Sequence, residues 1–405
     1  MFTKDFTEQN KKYAIALRRE FHRHPELGGR EFETAKRIEA ELDALGIEHH
    51  RVAATNVVGI IRGEKAGRTI GLRSDIDALP VTEETGVSYC SETPGMMHAC
   101  GHDGHMAALL LAARTLLACR GEMQGTVKLL FQSAEEPATG ARELIEAGEL
   151  EDVDALFGIH IWNDVEHGTV YVSGGEQMAS PIEFRVSFKG KGAHGSMPYM
   201  SLDATLPMAA LIMHLQSLVS MEFSAMSNVV LSVTRAYSGP NAFIEHGRAF
   251  NVIADTSYLE GTVRTFNEED TERFRQKMQR MVKGVAETYG VEGELFYNPH
   301  CPPVINDPGL AELARKTCVS LWGEESLDHE LGKVMAGEDF GEYCRLPIPT
   351  LFAFVGSRNT EKLPYYPHHN PKFNIDEDAI AQAACLHAQF ALDFLRQTAE
   401  WERKA

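Results

Sequence analysis

The chain has 405 residues, of which 43% are hydrophobic and 24% charged, values typical of a globular protein long enough for two domains. A net charge of −19 argues against a nucleic-acid partner, because phosphate binding needs clustered Lys and Arg. No stretch approaches the roughly 18 consecutive apolar residues of a membrane helix. The N-terminal residues lack the apolar block of a secretion signal. The seven cysteines are scattered along the chain, which indicates a reducing compartment. We therefore expect a cytoplasmic protein with no membrane partner.

The N-terminal part of the sequence predicts helices that alternate with apolar strands. Two helices are expected first, one ending near His24, before Pro25, and one ending at Gly46, a residue type that favours a helix C-terminus. Four β-rich runs follow, NVVGIIRG, TIGLRSDI, TVKLLFQS and ALFGIHIW, with helices predicted at 104–118 and 139–147. This alternation predicts an α/β fold, a mixed, mostly parallel sheet with helices on both faces.

The pattern changes near residue 182. IEFRVSFKG alternates polar and apolar residues, and the segments after it predict a helix, two strands, a helix at 268–289 and the strand EGELFYN. This β-α-β-β-α-β order is that of a ferredoxin-like α+β module. The α/β pattern then resumes with a helix at 308–322, the strand TLFAFVG and a C-terminal helix from about residue 376. The predicted domains are a split catalytic domain, 1–181 and 299–405, and an inserted module, 182–298.

Metal-capable side chains are dense in HACGHDGH, residues 98–105. Cys100 and His102 are two positions apart, so an extended chain would direct both side chains to one face. A structural zinc site would need a second Cys or His pair nearby, and a thiol redox site would need C-x-x-C, but the neighbouring sequence offers neither. This favours a site completed by residues distant in sequence over a zinc knuckle or a redox thiol.

Three later segments carry further candidate ligands. Glu135 and Glu136 follow the apolar strand TVKLLF, and strand ends in an α/β sheet are where ligands gather. His160 ends another apolar run, and His368 and His369 lie in a proline-bounded loop before the acidic helix start NIDEDA. Each also has an ordinary structural interpretation: a solvated acidic pair, a core histidine and a loop pair without a role.

Together, these segments supply more ligands than a single tetrahedral zinc ion takes. Two divalent ions with one bridging ligand would accommodate all five candidates, which are Cys100, His102, Glu136, His160 and His369. Such a pair of ions can activate water and polarise a carbonyl group. Glu135 is then left beside the ions, where a carboxylate can serve as general base and afterwards as the acid for a leaving amine.

The chain resembles the M20 family of metallo-amidohydrolases, in the branch of aminoacylases, hippurate hydrolases and indoleacetyl-amino-acid hydrolases. The segments that carry the resemblance span nearly the whole chain: RREFHRHPELGGREFET, LRSDIDALPV, MHACGHDGH, FQSAEE, GKGAHGSMPYMSLDA, NVIADTSYLEGTVRTF, AGEDFGEY and HHNPKFNIDEDA. Some positions depart from the family pattern. FQSAEEPATGA differs from the usual FQPAEEGG, Ala254 replaces a common proline, and Arg73 stands where other branches have a metal histidine. The ligand types are retained, so we expect altered pocket walls and a retained metal site.

The resemblance implies a dimetal site in which Cys100 bridges the ions and Glu135 is the general base and acid. Zinc, manganese, cobalt or nickel would suit its mixed S, N and O ligands. His194, in GKGAHGS, would reach a substrate carbonyl oxygen, in related enzymes often from the partner subunit, and Asn251 and Arg264 would hold the substrate carboxylate. The structural alternatives are a turn histidine for His194 and a salt-bridged strand arginine for Arg264.

The resemblance also implies that the inserted module is a lid or dimerisation domain and that the protein is a homodimer or dimer-based tetramer. We expect Asp75 to orient a ligand histidine and Asp103 to cap the helix after it. The implied reaction is hydrolysis of an N-acyl-L-amino acid, of N-acetyl or N-benzoyl type, a small-molecule substrate. The alternatives are a dipeptidase or carboxypeptidase of the same fold and a non-catalytic, metal-dependent binding protein.

Overall fold

The computed structural model describes residues 2–224, 226–239 and 250–397. The chain divides into two compact units, the first comprising Met1–Gln177, Val304–Val334 and Glu338–Ala405 and the second comprising Met178–Pro303 and Met335–Gly337. The boundaries expected from the sequence, after residues 181 and 298, lie a few residues from these. The sequence did not predict that Met335–Gly337 belongs to the second unit. The role of the second unit as a lid or dimerisation domain stays a prediction.

The helices and strands of the described residues are numbered in chain order. The helices are α1 Phe2–Arg23, α2 Phe32–Leu45, α3 His102–Ala118, α4 Gly140–Glu146, α5 Thr205–Glu222, α6 Glu268–Tyr289, α7 Pro308–Trp322 and α8 Asp378–Arg396. The strands are β1 Glu48–Val52, β2 Asn56–Arg62, β3 Lys65–Asp75, β4 Gln124–Gln132, β5 Ala155–Glu166, β6 Val170–Tyr171, β7 Gly175–Met178, β8 Ser180–Lys189, β9 Val230–Ser238, β10 Thr256–Thr265, β11 Glu292–Pro299, β12 Val304–Asn306 and β13 Thr350–Arg358. Among these helices, none combines the length and apolar character needed to cross a membrane.

The first unit is built on a seven-stranded sheet in the order β1-β2-β4-β3-β5-β13-β6. Its four central strands, β4, β3, β5 and β13, are parallel to one another, and antiparallel strands flank them on both sides. Helices α3 and α8 pack against β3 and β5. Helix α3 is buried from His102 to Ala113, as its almost unbroken apolar sequence requires. This architecture confirms the predicted α/β class.

The second unit is a four-stranded antiparallel sheet in the order β11-β8-β10-β9, joined by α5 and α6. The chain order is therefore β-α-β-β-α-β, as predicted for a ferredoxin-like module. Alternate residues of β8, including Phe184 and Phe188, pack with Leu211 of α5 and Phe274 of α6 in a core of their own. The period-two pattern of IEFRVSFKG corresponds to this one buried face.

The parallel strands of the first unit end at the same edge of the sheet. Asp75, the last residue of β3, lies opposite Gln132, the last residue of β4. The pairing of β5 with β3 ends at Gly158, two residues before His160. The segments that follow these strands therefore emerge together at the carboxyl edge, where α/β sheets bind ligands.

Candidate metal centre

Cys100 lies at the centre of the predicted ligand set. Its Sγ atom belongs to two groups whose ligand atoms all lie within 4.8 Å of one another: one with His102 and His160, the other with Glu136 and His369. All five predicted metal ligands are thus brought together in the first unit. A side chain common to two such groups has the placement that a bridging ligand needs.

Local backbone geometry places Cys100 and His102 side by side. Cys100 ends the loop before α3, His102 is the first residue of that helix, and Gly101 between them has φ 96°. This left-handed conformation favours glycine over any residue with a Cβ atom. On the opposite side of the cluster, the backbone N–H of His369, a residue with φ 66°, donates to the carbonyl of Ala99 at 2.8 Å. The two loops are therefore tied to each other at the site.

The hydrogen bonds of the two buried histidines leave their Nε2 atoms directed at the cluster. His102 Nδ1 lies 2.9 Å from the carbonyl of Asp77, and His160 Nδ1 lies 2.8 Å from the carbonyl of Ile161. His160 Nε2 is 3.5 Å from Cys100 Sγ. Histidine ligands of metals commonly donate their other ring N–H in this way. We expected His160 to end its strand, but β5 continues to Glu166, because its pairing with β13 extends beyond the edge of β3.

Two residues in the left-handed backbone region flank the glutamate pair. Ala134 has φ 51° and Ala138 has φ 56°, which is unusual for non-glycine residues. The N–H of Ala134 donates to Glu31 Oε1 at 2.8 Å, and that of Ala138 donates to the Glu135 carbonyl at 2.7 Å. The N–H of Glu136 donates to Asp77 Oδ2 at 3.0 Å. These bonds hold a strained turn of the kind that clusters at functional sites.

The site is rich in carboxylates that are buried, as Glu135 is, or partly buried, as Glu136 is. Burial, Glu338 and Glu136 raise the pKa of Glu135 well above its ordinary value. Burial also raises the pKa of Glu136 to about 7, despite the opposing influence of His102, and burial together with Glu136 raises the pKa of the Cys100 thiol to about 12. A cation that takes the Cys100 thiolate would therefore have to displace a proton.

The donor set fits divalent metal ions. Among the described residues, His102 Nε2, Glu136 Oε1 and Asp77 Oδ1 are buried atoms without a hydrogen-bond partner. Buried polar atoms are normally paired, and a cation would satisfy His102 Nε2 and Glu136 Oε1, whose side chains belong to one group of possible ligands; Asp77 Oδ1 instead lies 3.3 Å from His102 Nδ1. A combination of thiolate, imidazole and carboxylate is permissive for zinc, manganese, cobalt and nickel.

The expectation for Asp75 has to be corrected. Its Oδ1 atom is 2.6 Å from His105 Nδ1 and its Oδ2 atom accepts from Arg73 at 2.8 Å, whereas His102 Nε2 is 3.7 Å away. His105 Nε2 accepts from the N–H of Ile161 at 2.8 Å, so both nitrogens of His105 are engaged. Asp75 therefore orients a supporting histidine. The ligand histidine His160 is oriented by a backbone carbonyl, and His102 Nδ1 lies beside both the carbonyl and the Oδ1 atom of Asp77, at 2.9 and 3.3 Å.

Asp103 is not the N-cap of α3, although its Oδ1 atom accepts from a backbone N–H of the first turn, that of Gly104, at 2.9 Å. The N-cap of α3 is Gly101, without a side-chain cap, and Asp103 lies inside the first turn. Its carboxylate accepts from Arg18 Nε at 2.7 Å and lies 2.7 Å from His22 Nδ1. Asp103 thus connects α3 with α1, because two buried cationic partners from α1 reach it.

Sequence reasoning missed part of the buried network next to the ligands. Arg73 is fully buried and donates to the side chains of Asp75, Gln132, Glu338 and Asp339. Its guanidinium is therefore used to pair carboxylates of the network. The segments LRSDIDALPV, FQSAEE and AGEDFGEY contain these residues, but only the folded structure shows that they meet.

The other predicted functional residues belong to the second unit. Asn251 Nδ2 lies 3.4 Å from His194 Nε2, because the backbones of His194 and Val252 form a β-bridge. Arg264, on β10, donates to the carbonyls of Met335 and Val263, and burial lowers its pKa. No carboxylate of the described residues pairs with it, so it is not the salt-bridged strand arginine considered as an alternative.

Comparison with known proteins places this geometry in context. The sequence model of peptidase family M20/M25/M40 matches residues 71–393. N-acetylcysteine deacetylase of Bacillus subtilis is 38% identical over 93% of this chain and 96% of its own, and IAA-amino acid hydrolase ILR1-like 4 of Arabidopsis thaliana is 35% identical over 95% and 86%. Thermostable carboxypeptidase 2 of Saccharolobus solfataricus is 34% identical over 96% and 98%. The Bacillus subtilis YXEP structure, described as a dinuclear metal binding peptidase, superposes with a TM-score of 0.83 at 35% identity, covering 96% and 99%.

Proposed function

Because the chain belongs to peptidase family M20/M25/M40 and is an amidohydrolase, we propose that it hydrolyses the amide bond of N-acyl-L-amino acids. The products would be a carboxylate, acetate or benzoate in type, and the free amino acid. The observation that carries the proposal is the pair of ligand groups sharing Cys100 beside the buried Glu135. Two relatives named for N-acetylcysteine and IAA-amino acids support this substrate class.

Cys100, His102, Glu136, His160 and His369 would hold two divalent ions of zinc, manganese, cobalt or nickel, with Cys100 shared between them. Such ions, when bound, supply Lewis-acid polarisation of the substrate carbonyl and lower the pKa of water. A related structure described as dinuclear metal binding supports a stoichiometry of two. His102 Nε2 and Glu136 Oε1 are buried and have no hydrogen-bond partner among the described residues, which supports these side chains as metal ligands.

The remaining steps use side chains of the chain itself. Glu135, buried beside the candidate ligands, takes a proton from the attacking water and returns it to the nitrogen of the leaving amino acid. His194 donates a hydrogen bond to the carbonyl oxygen as negative charge develops there. Arg264, whose guanidinium is not neutralised by a described carboxylate, binds the free carboxylate of the substrate together with Asn251.

The proposal includes a homodimer or dimer-based tetramer in the cytoplasm. Strand β9 is the edge strand of the second unit's sheet, and exposed edges are sites of association between chains. All seven cysteines lie in the described part of the chain and none of them forms a disulfide, which supports a reducing compartment. Size-exclusion chromatography with light scattering would test the oligomer, and a monomer at micromolar concentration would contradict it.

A substrate panel tests the reaction. The apo-protein is reconstituted separately with zinc, manganese, cobalt and nickel, and kcat/KM is measured for N-acetyl and N-benzoyl amino acids and for dipeptides. We expect N-acyl amino acids to exceed dipeptides by about tenfold or more, a difference of about 1.4 kcal/mol in transition-state binding. The matched control is the C-terminal amide of the preferred substrate, which lacks the carboxylate and should show a higher KM.

Hydrolysis of peptides is the second candidate function, and the thermostable carboxypeptidase relative supports it. Dipeptides turned over faster than N-acyl amino acids would favour this activity and contradict the first proposal. Stoichiometric binding of N-acyl amino acids without product, with every metal tested, would favour a binding protein over both enzymes.

A further inference from the structure

The ring of His194 is held by the residue two positions later. The backbone N–H of Ser196 donates to His194 Nδ1 at 3.1 Å, and Ser196 Oγ lies 2.8 Å from the same nitrogen. A hydroxyl hydrogen can rotate, but a backbone hydrogen is fixed by the peptide plane. Nδ1 must therefore accept, because a hydrogen on this nitrogen would face the hydrogen of Ser196.

The direction of the Ser196 N–H is fixed by the surrounding turn. The N–H of Met197 donates to the carbonyl of His194 at 2.8 Å, and that of Gly195 donates to the carbonyl of Asn251 at 2.6 Å. A Cβ atom on Gly195 would lie 3.0 Å from this carbonyl oxygen, so only glycine allows the close approach without adjustment. The turn and the segment that carries Asn251 are thus hydrogen-bonded to each other next to the imidazole.

We infer that Ser196, through its backbone N–H, is a positioning residue that holds neutral His194 in the tautomer with its hydrogen on Nε2. The catalytic benefit of this tautomer rests on the proposed function, in which the Nε2–H group donates to a substrate carbonyl oxygen. A histidine locked in this form needs no proton exchange before it can stabilise the developing charge.

Asn251, as placed, directs its amide nitrogen at His194 Nε2, and it fits the same tautomer once this amide is turned over. Its amide group lies 3.4 Å from His194 Nε2, and rotation of the amide by a half turn exchanges its oxygen and nitrogen. With hydrogen on Nε2, the amide oxygen faces His194 and accepts. The amide NH2 group then points away from His194, free to donate to an anionic group such as a substrate carboxylate.

Nitrogen NMR tests the inference without any substrate. The full chain is labelled with ¹⁵N-histidine, and long-range ¹H–¹⁵N correlations are recorded at about pH 8.5, where free histidine is neutral. The His194 signals are those missing from the His194→Gln variant. We expect Nδ1 to show the shift of an unprotonated nitrogen and Nε2 that of a protonated one. A hydrogen on Nδ1, or an averaged mixture of the two forms, would overturn the inference.

Two substitutions separate the backbone of Ser196 from its hydroxyl. Ser196→Ala keeps the N–H, so it should keep the tautomer and leave kcat within about threefold. Ser196→Pro removes the N–H and should mix the tautomers and lower kcat by about tenfold or more, with a smaller change in KM. A tautomer altered by Ser196→Ala would overturn the inference, and this result can be obtained even if the proline variant does not fold.

The two proposals fail in different ways. The expected tautomer together with no turnover of any N-acyl amino acid would contradict the proposed function and leave the tautomer established. Turnover of N-acyl amino acids with the opposite tautomer would contradict the role of Ser196 and leave the proposed function intact.

Discussion

Glu135 and Glu136 are neighbours in sequence, yet the proposal gives them separate tasks. Glu135→Gln keeps the size of the side chain and removes the proton acceptor, so kcat should fall by about 10²- to 10⁴-fold while bound metal stays at two ions per chain. Glu136→Gln should instead lose metal, because it removes a ligand. Steady-state kinetics and metal analysis of the same preparations measure both effects. Glu146→Gln, an exposed position on α4, is the matched control. Retained turnover in Glu135→Gln would refute its assignment.

Cys100 should make metal binding depend on pH. Burial and Glu136 raise the pKa of its thiol to about 12 in the metal-free protein, so a metal ion that takes the thiolate must displace a proton. Metal affinity should therefore rise with pH, and Cys100→Ser should lower the number of protons released by about one. Competition titrations with a chelating dye from pH 6 to 8 measure this slope. Cys119→Ser, outside the site, should keep it, and an unchanged slope in Cys100→Ser would argue against thiolate ligation.

The sequence predicted the candidate metal ligands more accurately than the residues that orient the ligand side chains. Thiolate, imidazole and carboxylate side chains are the few that bind metals, and their positions after strands make them recognisable. The orientation of His160 depends on a backbone carbonyl, which every residue has, and that of His102 depends on the carbonyl and the carboxylate of Asp77. Asp75 and Asp103 were correctly expected near the site, but their partners, His105 and the α1 side chains, are determined by packing between distant segments.

Elements whose ends carry local signals were predicted most accurately. The sequence predicts helix α6 at 268–289, and in the structure Asn267 caps its first turn and Gly290, with φ 68°, ends it. Strand β1 was missed because EHHRV is mostly polar and lies at the edge of the sheet, where only one neighbour pairs with it. An edge strand has no buried pattern of its own, so tertiary pairing alone defines it.

Helix α1 is connected to α3 by a buried polar network that predicts a pH-dependent stability. Burial and Arg18 disfavour a charge on His22, but Asp103 and Glu83 outweigh them and raise its pKa above 6.5. A raised folded-state pKa stabilises the fold fully below the unfolded value of 6.5, and this stability is lost as pH rises through the folded value. His22→Gln should cost about 1.5 to 3 kcal/mol at pH 5.5 and less at higher pH.

Urea unfolding at pH 5.5 to 9 measures this difference between His22→Gln and the wild type. His214→Gln, exposed on α5, is the control and should not change the free energy of unfolding. A cost of His22→Gln that grows with pH would show that His22 is neutral in the folded state and would contradict a raised pKa for this residue.

At the scale of the whole molecule, all five candidate metal ligands lie in one of two units that have separate hydrophobic cores. A ligand that binds only the folded state stabilises it by RT ln(1 + [L]/Kd), about 2.7 kcal/mol at a free metal concentration of 100 Kd. This free energy opposes the local unfolding events that release the metal. Local unfolding elsewhere in the chain is unaffected. The effect of metal removal should therefore be local.

Hydrogen exchange followed by mass spectrometry tests this locality in the intact chain. Removal of metal by a chelator should speed exchange by up to about 100-fold in peptides covering 98–105, 133–140 and 366–372, which carry ligands or the turns that hold them. Peptides of α6, in the other unit, are the internal control and should exchange at the same rate. Equal loss of protection in α6 would mean that the metal stabilises both units together. In that case the insertion, although it has its own core, would unfold cooperatively with the catalytic unit.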